Sequence, residues 1–261
     1  MIRFIKKHKL TLGLFATSLS SFLLIFLISS PSALGQEFSL NMGEEGALSG
    51  RIVQLLMLMT VLSLAPAIII VVTSFTRIVI VFSLLRSAMG TQQTPPNVVL
   101  VSLALFMTSF IMAPTIKDAY DNGIAPLIAE QITEEEAFDR TTAPFHGFMM
   151  KHVREKDLLL FLDLSKTTPP ETQADTPFQI LVPAFIISEL RRAFEIGFLL
   201  FVPFIIIDLV VASILMSMGM MMLPPVMISL PFKLIFFVLV DGWYLVAGSL
   251  IQSFNQGPLP G

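Results

Sequence analysis

The sequence has 261 residues, of which 54% are hydrophobic and 13% charged, and its formal net charge is −3. Such an apolar chain, with a mean hydropathy of +0.82, is typical of membrane proteins and not of soluble domains. Basic and acidic residues are interleaved, which excludes a nucleic-acid-binding face, and the absence of cysteine excludes disulfides, thiolate metal sites and a cysteine nucleophile.

Residues 1–35 have the features of a cleavable secretory signal peptide. Basic residues precede an apolar run over roughly residues 10–28, and a small-x-small sequence ends at Gly35. Because this run is long for a signal, an uncleaved first membrane helix is the alternative. In either case the chain from residue 36 begins outside the cytoplasm, and residues 36–51 are expected to be a short periplasmic segment.

Four further apolar segments have lengths near the ~20 residues that a membrane-spanning helix needs, roughly 52–74, 98–113, 196–218 and 226–252. We expect them to form two helical hairpins, within 52–113 and 178–261. The connection 75–97 contains two arginines and no acidic residue, whereas residues 114–177 contain 6 basic and 12 acidic residues. The positive-inside rule therefore places the loop 75–97 in the cytoplasm and residues 114–177 in the periplasm.

The predicted periplasmic region, residues 114–177, has mostly helical patterns. The acidic run at 134–136 indicates a solvated helix face. Phe148 and Phe161 lie in helical segments with strong apolar character, so they are candidates for a subunit interface, with packing in the core of the chain as the alternative. Residues 165–177 contain three prolines and are expected to be a linker.

Charged residues and prolines interrupt the apolar segments. Asp208, Lys233 and Asp241 lie inside them, and such residues indicate protein neighbours or a water-filled path. In an antiparallel hairpin Asp208 and Lys233 reach similar depth, so we expect a pair between them. The alternative is that each of the three charges contacts a different helix or subunit.

Motifs for enzymatic chemistry were not found. The three histidines, His8, His146 and His152, do not have the spacing of a metal site, and no phosphate-binding or nucleophile-elbow motif occurs. Asp208 and Asp241 share no motif that indicates a protease dyad. We therefore expect no enzyme activity, no catalytic residues, no metal and no cofactor.

The segment "SELRRAFE" precedes the third apolar segment. Its charges, Glu189, Arg191, Arg192 and Glu195, are spaced for i,i+3 and i,i+4 pairs, which stabilise a helix by only about 0.2–0.5 kcal/mol each. Contacts with neighbouring subunits are therefore the favoured use of these residues. A solvated turn at the membrane surface is the alternative.

Three stretches resemble one protein family: "SFTRIVIVFSLLRSAMGTQQTPPN" (74–97), "PAFIISELRRAFEIGFLLFVPFIIIDL" (183–209) and "GMMMLPP" (219–225). They are similar to the FliP proteins of the bacterial flagellar export apparatus, whose relatives serve virulence type III secretion systems. The resemblance implies an all-α membrane protein that assembles as a ring, pentameric in the family, with the two smaller export-gate membrane proteins. This ring surrounds the channel for unfolded flagellar proteins in the inner membrane, at the basal body.

The resemblance also implies a role for the methionine-rich loop 217–225. In the family this loop forms a gasket in the pore, a role that would fall here to Met220, Met221 and Met222. Methionine is apolar and adaptable, so a ring of such side chains can close a pore and reshape around a passing chain. Gly219 and the Pro224-Pro225 pair would act as hinge and stiffener. The alternative is a packed turn without a sealing role.

Two other functions are compatible with the sequence. The first is the equivalent subunit of a virulence secretion system, although the signal peptide and the long periplasmic region favour the flagellar branch. The second is a small-solute or ion transporter that uses Asp208 and Lys233. Transporters commonly contain repeated halves, and we detect no internal repeat in this sequence.

Overall fold

A computed structural model describes residues 48–91, 93–165, 172, 175–220 and 222–255. The predicted signal peptide, residues 1–35, and most of the segment 36–51 lie outside the described residues. The chain divides into two compact units, Met1–Met59 and Thr60–Gly261, and the features discussed below belong to the second.

All regular elements in the described residues are helical, which confirms the predicted all-α fold. In chain order they are α1 (Leu48–Val71), α2 (Phe75–Met89), α3 (Asn97–Ala119), a π-helical turn (Tyr120–Ile124), α4 (Ala125–Ile128), α5 (Glu134–His152), α6 (Glu155–Ser165), α7 (Phe178–Ser217), α8 (Pro225–Leu239) and α9 (Gly242–Asn255).

Most of the connection expected over 75–97 is the helix α2. Its residues Ile78, Val81, Phe82 and Leu85 have no exposed surface, and their spacing of three and four places them on one helix face. This face packs into the main hydrophobic core, to which α3, α7, α8 and α9 also contribute. The turn between α2 and α3 is therefore shorter than expected, and it begins at Gly90, whose φ is 79°.

The contact between α2 and α7 depends on one glycine. A Cβ atom added to Gly197 would lie 2.2 Å from the Cδ1 atom of Leu84, closer than any real contact. Glycine at this position therefore lets the two helices approach until the Leu84 side chain fills the space. This crossing fixes the position of the long helix α7, which carries much of the candidate site.

Among the described residues, two continuous helical segments are long and apolar enough to cross a membrane, Asn97–Ile128 and Phe178–Ser217. The number rises to four if each of two bent helix pairs is counted as one span. The predicted fourth segment, 226–252, is one of these pairs: α8 and α9 meet at a bend of 61°. The Phe237 ring packs against Gly242 at the bend, where a Cβ atom would lie 2.1 Å from it.

The predicted periplasmic region is largely helical within the described residues. Thr133 caps α5, because its Oγ1 atom accepts a hydrogen bond from the backbone N–H of Glu136. Helices α5, α6 and α7 share a second core around Met149, Leu181 and Phe185, none of which is exposed. The start of α7 is therefore packed against this region.

Candidate functional site: the methionine-rich turn and its charged anchors

The methionine-rich turn begins where α7 ends. The N–H of Met218 donates to the Ile214 carbonyl, and the N–H of Met220 donates to the Leu215 carbonyl at 3.0 Å. Gly219 lies between them with φ of 75°, the left-handed conformation that commonly terminates helices. Chain reversal after α7 therefore depends on this glycine.

The methionines around this turn point away from the chain's own core. Met222 is 98% exposed and Met220 is 44% exposed, and Met221 lies outside the described residues. Three further methionines near the turn are also exposed: Met216, Met218 and Met227. These apolar side chains are therefore free to contact another surface, and they contribute little to packing within the chain.

The far end of the turn is formed by the two prolines. Pro225 is the first residue of α8, a position where the missing N–H of proline costs no helical hydrogen bond. Pro224 precedes it with φ of −67° and ψ of 115°. The turn therefore has a glycine at one end and a conformationally restricted pair at the other.

Below the turn, Asp208 of α7 and Lys233 of α8 form an ion pair, with Lys233 Nζ 2.6 Å from Asp208 Oδ2. Ser229 Oγ donates to the other carboxylate oxygen, Oδ1, at 2.6 Å. The structure thus brings together the two residues that the hairpin register suggested. No pattern in the sequence indicated a role for Ser229.

The same lysine connects this pair to a third helix. Lys233 Nζ donates to the carbonyl of Ala88, at the end of α2, at 3.4 Å. A cation is favourable there because the carboxyl end of a helix carries partial negative charge. Lys233 is 4% exposed as a whole residue, and the Asp208 side chain is 33% exposed, so the pair is anchored from inside the protein.

Asp241 is not part of this cluster. It lies at the bend between α8 and α9 and is exposed, with φ of 50°. Within the described residues, its carboxylate forms no hydrogen bond and no ion pair. The three charges of the apolar segments are therefore divided into one pair and one separate aspartate.

Glu189 is not available for contacts with other subunits, contrary to the expectation from its helical spacing. It has no exposed surface and forms a bidentate ion pair with Arg77 of α2, whose Nε donates to Glu189 Oε2 at 2.7 Å. The third nitrogen of Arg77, Nη1, donates to Ser253 of α9 at 2.9 Å. Its guanidinium lies 3.7 Å from the Phe254 ring centroid. Burial of the Glu189 carboxylate requires this partner, which sequence spacing could not reveal.

The other charges of "SELRRAFE" lie closer to the surface. Arg191 and Glu195 form the expected i,i+4 pair at 2.8 Å, with 56% and 57% of their side chains exposed. Arg192 is partly buried, and its expected i,i+3 partner, Glu189, is bonded to Arg77 instead. Only Arg191 and Glu195 are therefore fully accessible to a neighbouring chain.

The two phenylalanines proposed for an interface are partly buried. Phe148 packs against both cores, and its ring contacts His152, Phe185 and Phe254. Phe161 packs against the second core. Much of each ring is therefore packed inside the chain. This agrees with core packing, the alternative to a subunit interface in the sequence analysis.

His152 is buried beside this aromatic cluster. Burial, followed by the nearby cations Arg77, Arg192 and Lys151, lowers its pKa from 6.5 to about 3. Its Nδ1 atom has no hydrogen-bond partner among the described residues, and its ring contacts Phe254 at a centroid distance of 5.3 Å. His152 therefore belongs to the packed interior, and the described residues contain no cluster of possible ligands that could hold a metal ion.

Comparison with known proteins agrees with the resemblance. Residues 58–250 match the FliP family. The chain is 62% identical to the flagellar biosynthetic protein FliP of Caulobacter vibrioides, over 84% of this chain and 82% of the relative. It is 57% identical to the protein of the same name from Bacillus subtilis, over 77% of this chain and 91% of the relative. It is 49% identical to that of Rhizobium meliloti, over 90% of this chain and 98% of the relative. A match over most of the chain, together with these identities, shows that the protein belongs to the FliP family.

Proposed function

We propose that this protein is the pore-forming subunit of the flagellar type III protein export gate. In this role copies of the chain form a ring in the bacterial inner membrane at the basal body, and unfolded flagellar proteins pass through it. Membership of the FliP family and the helices of membrane-spanning length support the assignment.

The observation that carries the proposal is the exposure of the methionines at the turn after α7. An apolar side chain such as Met222, 98% exposed, is unfavourable in water unless another apolar surface covers it. In a ring, the turns of neighbouring copies would supply that surface. Flexible thioether side chains would then seal the channel at rest and adapt to a passing chain.

The anchors of the turn support the same role. The Asp208–Lys233 ion pair joins α7 to α8, and the Lys233–Ala88 bond adds α2. Movement at Gly219 and the intervening methionines would therefore leave the flanking helices in place. The gate would open locally, and the two smaller export-gate membrane proteins would complete the assembly.

We infer that the subunit has no catalytic role, so that the energy for transport comes from other components. The relatives compared above are all flagellar biosynthetic proteins, which favours the flagellar apparatus over a virulence secretion system. A solute transporter would need Asp208 or Lys233 for ion coupling. Because these two residues neutralise each other, that role has less support.

The test compares ion leakage and flagellin export in cells that produce the wild type or the triple variant M220A/M221A/M222A, after equal complex assembly is shown. We expect increased leakage with export retained. A matched triple substitution to leucine keeps the apolar volume and should largely preserve the seal. Unchanged leakage in an intact alanine complex would refute the sealing role.

A further inference from the structure

The apolar segments contain an uneven number of charges. Across 52–74, 98–113, 196–218 and 226–252, the sequence has two acidic residues, Asp208 and Asp241, and one basic residue, Lys233. Lys233 is bonded to Asp208 and is 4% exposed. One carboxylate, that of Asp241, is therefore left without a counter-ion from these segments.

Asp241 lies well inside the hairpin. Helix α8 has 15 residues between the methionine-rich turn and the bend, a length of about 22 Å, compared with about 30 Å for the hydrocarbon core of a bilayer. Trp243, two residues further on, packs against Phe82 in the middle of α2 at a centroid distance of 6.2 Å. The bend is therefore level with the interior of the helix bundle.

Exposed side chains with large apolar surfaces flank the aspartate in the sequence, and we call them the apolar collar. Val238, Leu239 and Tyr244 are 75%, 79% and 73% exposed, and they belong to the residues on either side of the bend. Whatever covers this collar, lipid or protein, also removes water from Asp241. A carboxylate without a partner in such surroundings is costly, so the covering surface needs to supply a cation.

The backbone at the bend does not require an acidic side chain. The carbonyl of Asp241 accepts the N–H of Leu245 at 3.1 Å, which starts α9, and its φ of 50° is also tolerated by asparagine and glycine. A turn residue alone could therefore be neutral. The partial positive charge at the start of α9 favours an aspartate here by only about 0.3–1 kcal/mol, so most of the cost of a carboxylate away from water remains to be explained.

We propose that Asp241 and its apolar collar bind an apolar helix of a different protein subunit, one that carries a lysine or arginine at the same depth. A second copy of this chain does not fit, because Lys233 and Arg77 are buried and already paired. The exposed Arg191 lies at another depth, about 39 Å from the methionine-rich turn along α7, compared with about 22 Å for the bend. The inference rests on the proposed function, since it assumes an assembly of several membrane proteins.

The test uses the full chain, affinity-tagged and co-expressed with the other membrane proteins of the export gate, and purified in mild detergent. Native mass spectrometry then measures the oligomer of this chain and the occupancy of each partner. The variant D241N keeps the side-chain shape and tolerates the backbone conformation, but it has no charge. The control D163N removes an exposed charge from α6, outside the apolar segments.

We expect D241N to reduce the occupancy of one partner by roughly tenfold or more, while D163N and the homo-oligomer stay unchanged. In a second step D241K is combined with lysine-to-glutamate or arginine-to-glutamate changes in the apolar segments of that partner. Recovery with one of these swaps identifies the cation.

Equal partner occupancy in wild type and D241N overturns the inference, as does loss of the homo-oligomer alone or failure of every swap. If D241N differs from the wild type in stability only when phosphatidylethanolamine vesicles are added, the carboxylate binds a lipid headgroup. This result also overturns the inference. If the wild-type chain itself forms no oligomer, the proposed function fails, an outcome that is distinct from a failure at Asp241.

Discussion

Arg77 and Glu189 form a bidentate ion pair in the interior of the protein, with 1% and 0% of their side chains exposed. The same guanidinium bonds Ser253, so one side chain joins α2, α7 and α9. Because every nitrogen of the guanidinium has an acceptor and its face covers Phe254, the charge is compensated despite its burial. The pair holds the carboxyl-terminal helix α9 against the rest of the unit.

Loss of one partner should therefore destabilise the protein strongly. We expect E189A to lower the free energy of unfolding by about 3–5 kcal/mol, because it leaves a buried cation unpaired. R77K should have a smaller effect, since lysine keeps the charge and loses the planar fork. Thermal unfolding in detergent can be followed by fluorescence of Trp243, the only tryptophan, which packs against Phe82 and Phe237. A melting temperature of E189A equal to that of the exposed control E195A would contradict this role.

The Asp208–Lys233 pair should matter more for assembly than for conductance. D208A leaves the buried ammonium of Lys233 with only the Ala88 carbonyl, so we expect a larger loss of complex yield than for K233A. The double variant should be less impaired than the sum of the two single variants. The matched control is the exposed pair Glu136–Arg140 of α5, whose removal should cost less than about 1 kcal/mol. Normal complex yield of D208A with lost export would disprove the anchoring role.

Acidification should destabilise the protein through His152. Its pKa of about 3 in the folded protein lies below the ordinary value of 6.5, so the unfolded chain binds more protons between these two values. Stability from the neutral ring is thus complete above pH 6.5 and is lost as the pH falls, with a limiting slope of about 1.4 kcal/mol per pH unit. H152F should reduce this slope, because phenylalanine does not bind a proton. The substitution should be tolerated at neutral pH, because Nδ1 has no hydrogen-bond partner among the described residues. Parallel pH profiles of the wild type and H152F would rule out His152 as the cause.

A side chain at Gly197 should push α2 and α7 apart. G197A places a Cβ atom 2.2 Å from Leu84 Cδ1, and we expect a loss of about 1–3 kcal/mol of stability. The double variant L84A/G197A should recover part of this loss, since it removes the clashing atoms. The control G248A has no atom within 4 Å of the new Cβ and should not destabilise the helix. Equal melting temperatures of G197A and G248A would show that the crossing tolerates a wider spacing.

The effect of a substitution at Gly219 should depend on how well the new residue tolerates a positive φ. With φ of 75°, alanine is strained there by about 1–2 kcal/mol, whereas asparagine tolerates the conformation better. We therefore expect G219A to increase ion leakage more than G219N in complexes of equal yield. Because none of the described residues has an atom within 4 Å of a Cβ at this position, a clash with them cannot cause the difference. The reverse order of the two variants would refute a hinge based on φ.

Local patterns in the sequence were sufficient for part of the fold and of the site. The hydrophobic segments indicated the helices, and the antiparallel register placed Asp208 and Lys233 at similar depth, where they form a pair at 2.6 Å. The turn at Gly219 and the prolines followed from backbone chemistry. These features depend on neighbours within one hairpin, and therefore the sequence contains them directly.

Features that depend on distant helices could not be obtained in this way. Arg77 and Glu189 are 112 positions apart, and nothing near Glu189 distinguishes a buried carboxylate from an exposed one. The bend after α8 was also missed, because hydropathy continues through it and only the dipeptide Asp241-Gly242 signals a turn. In both cases the tertiary packing overrides the local pattern.

Helix α7 is long compared with any membrane. Its 40 residues extend for about 60 Å, and Gly197, where it meets Leu84, lies near the middle. It therefore has the geometry of a lever with two arms of about 30 Å, one holding Glu189 and the other leading to the methionines. A tilt of about 10° around this pivot would displace each end by about 5 Å in opposite directions. Mechanical coupling between the two ends of α7 is thus available in a single continuous element.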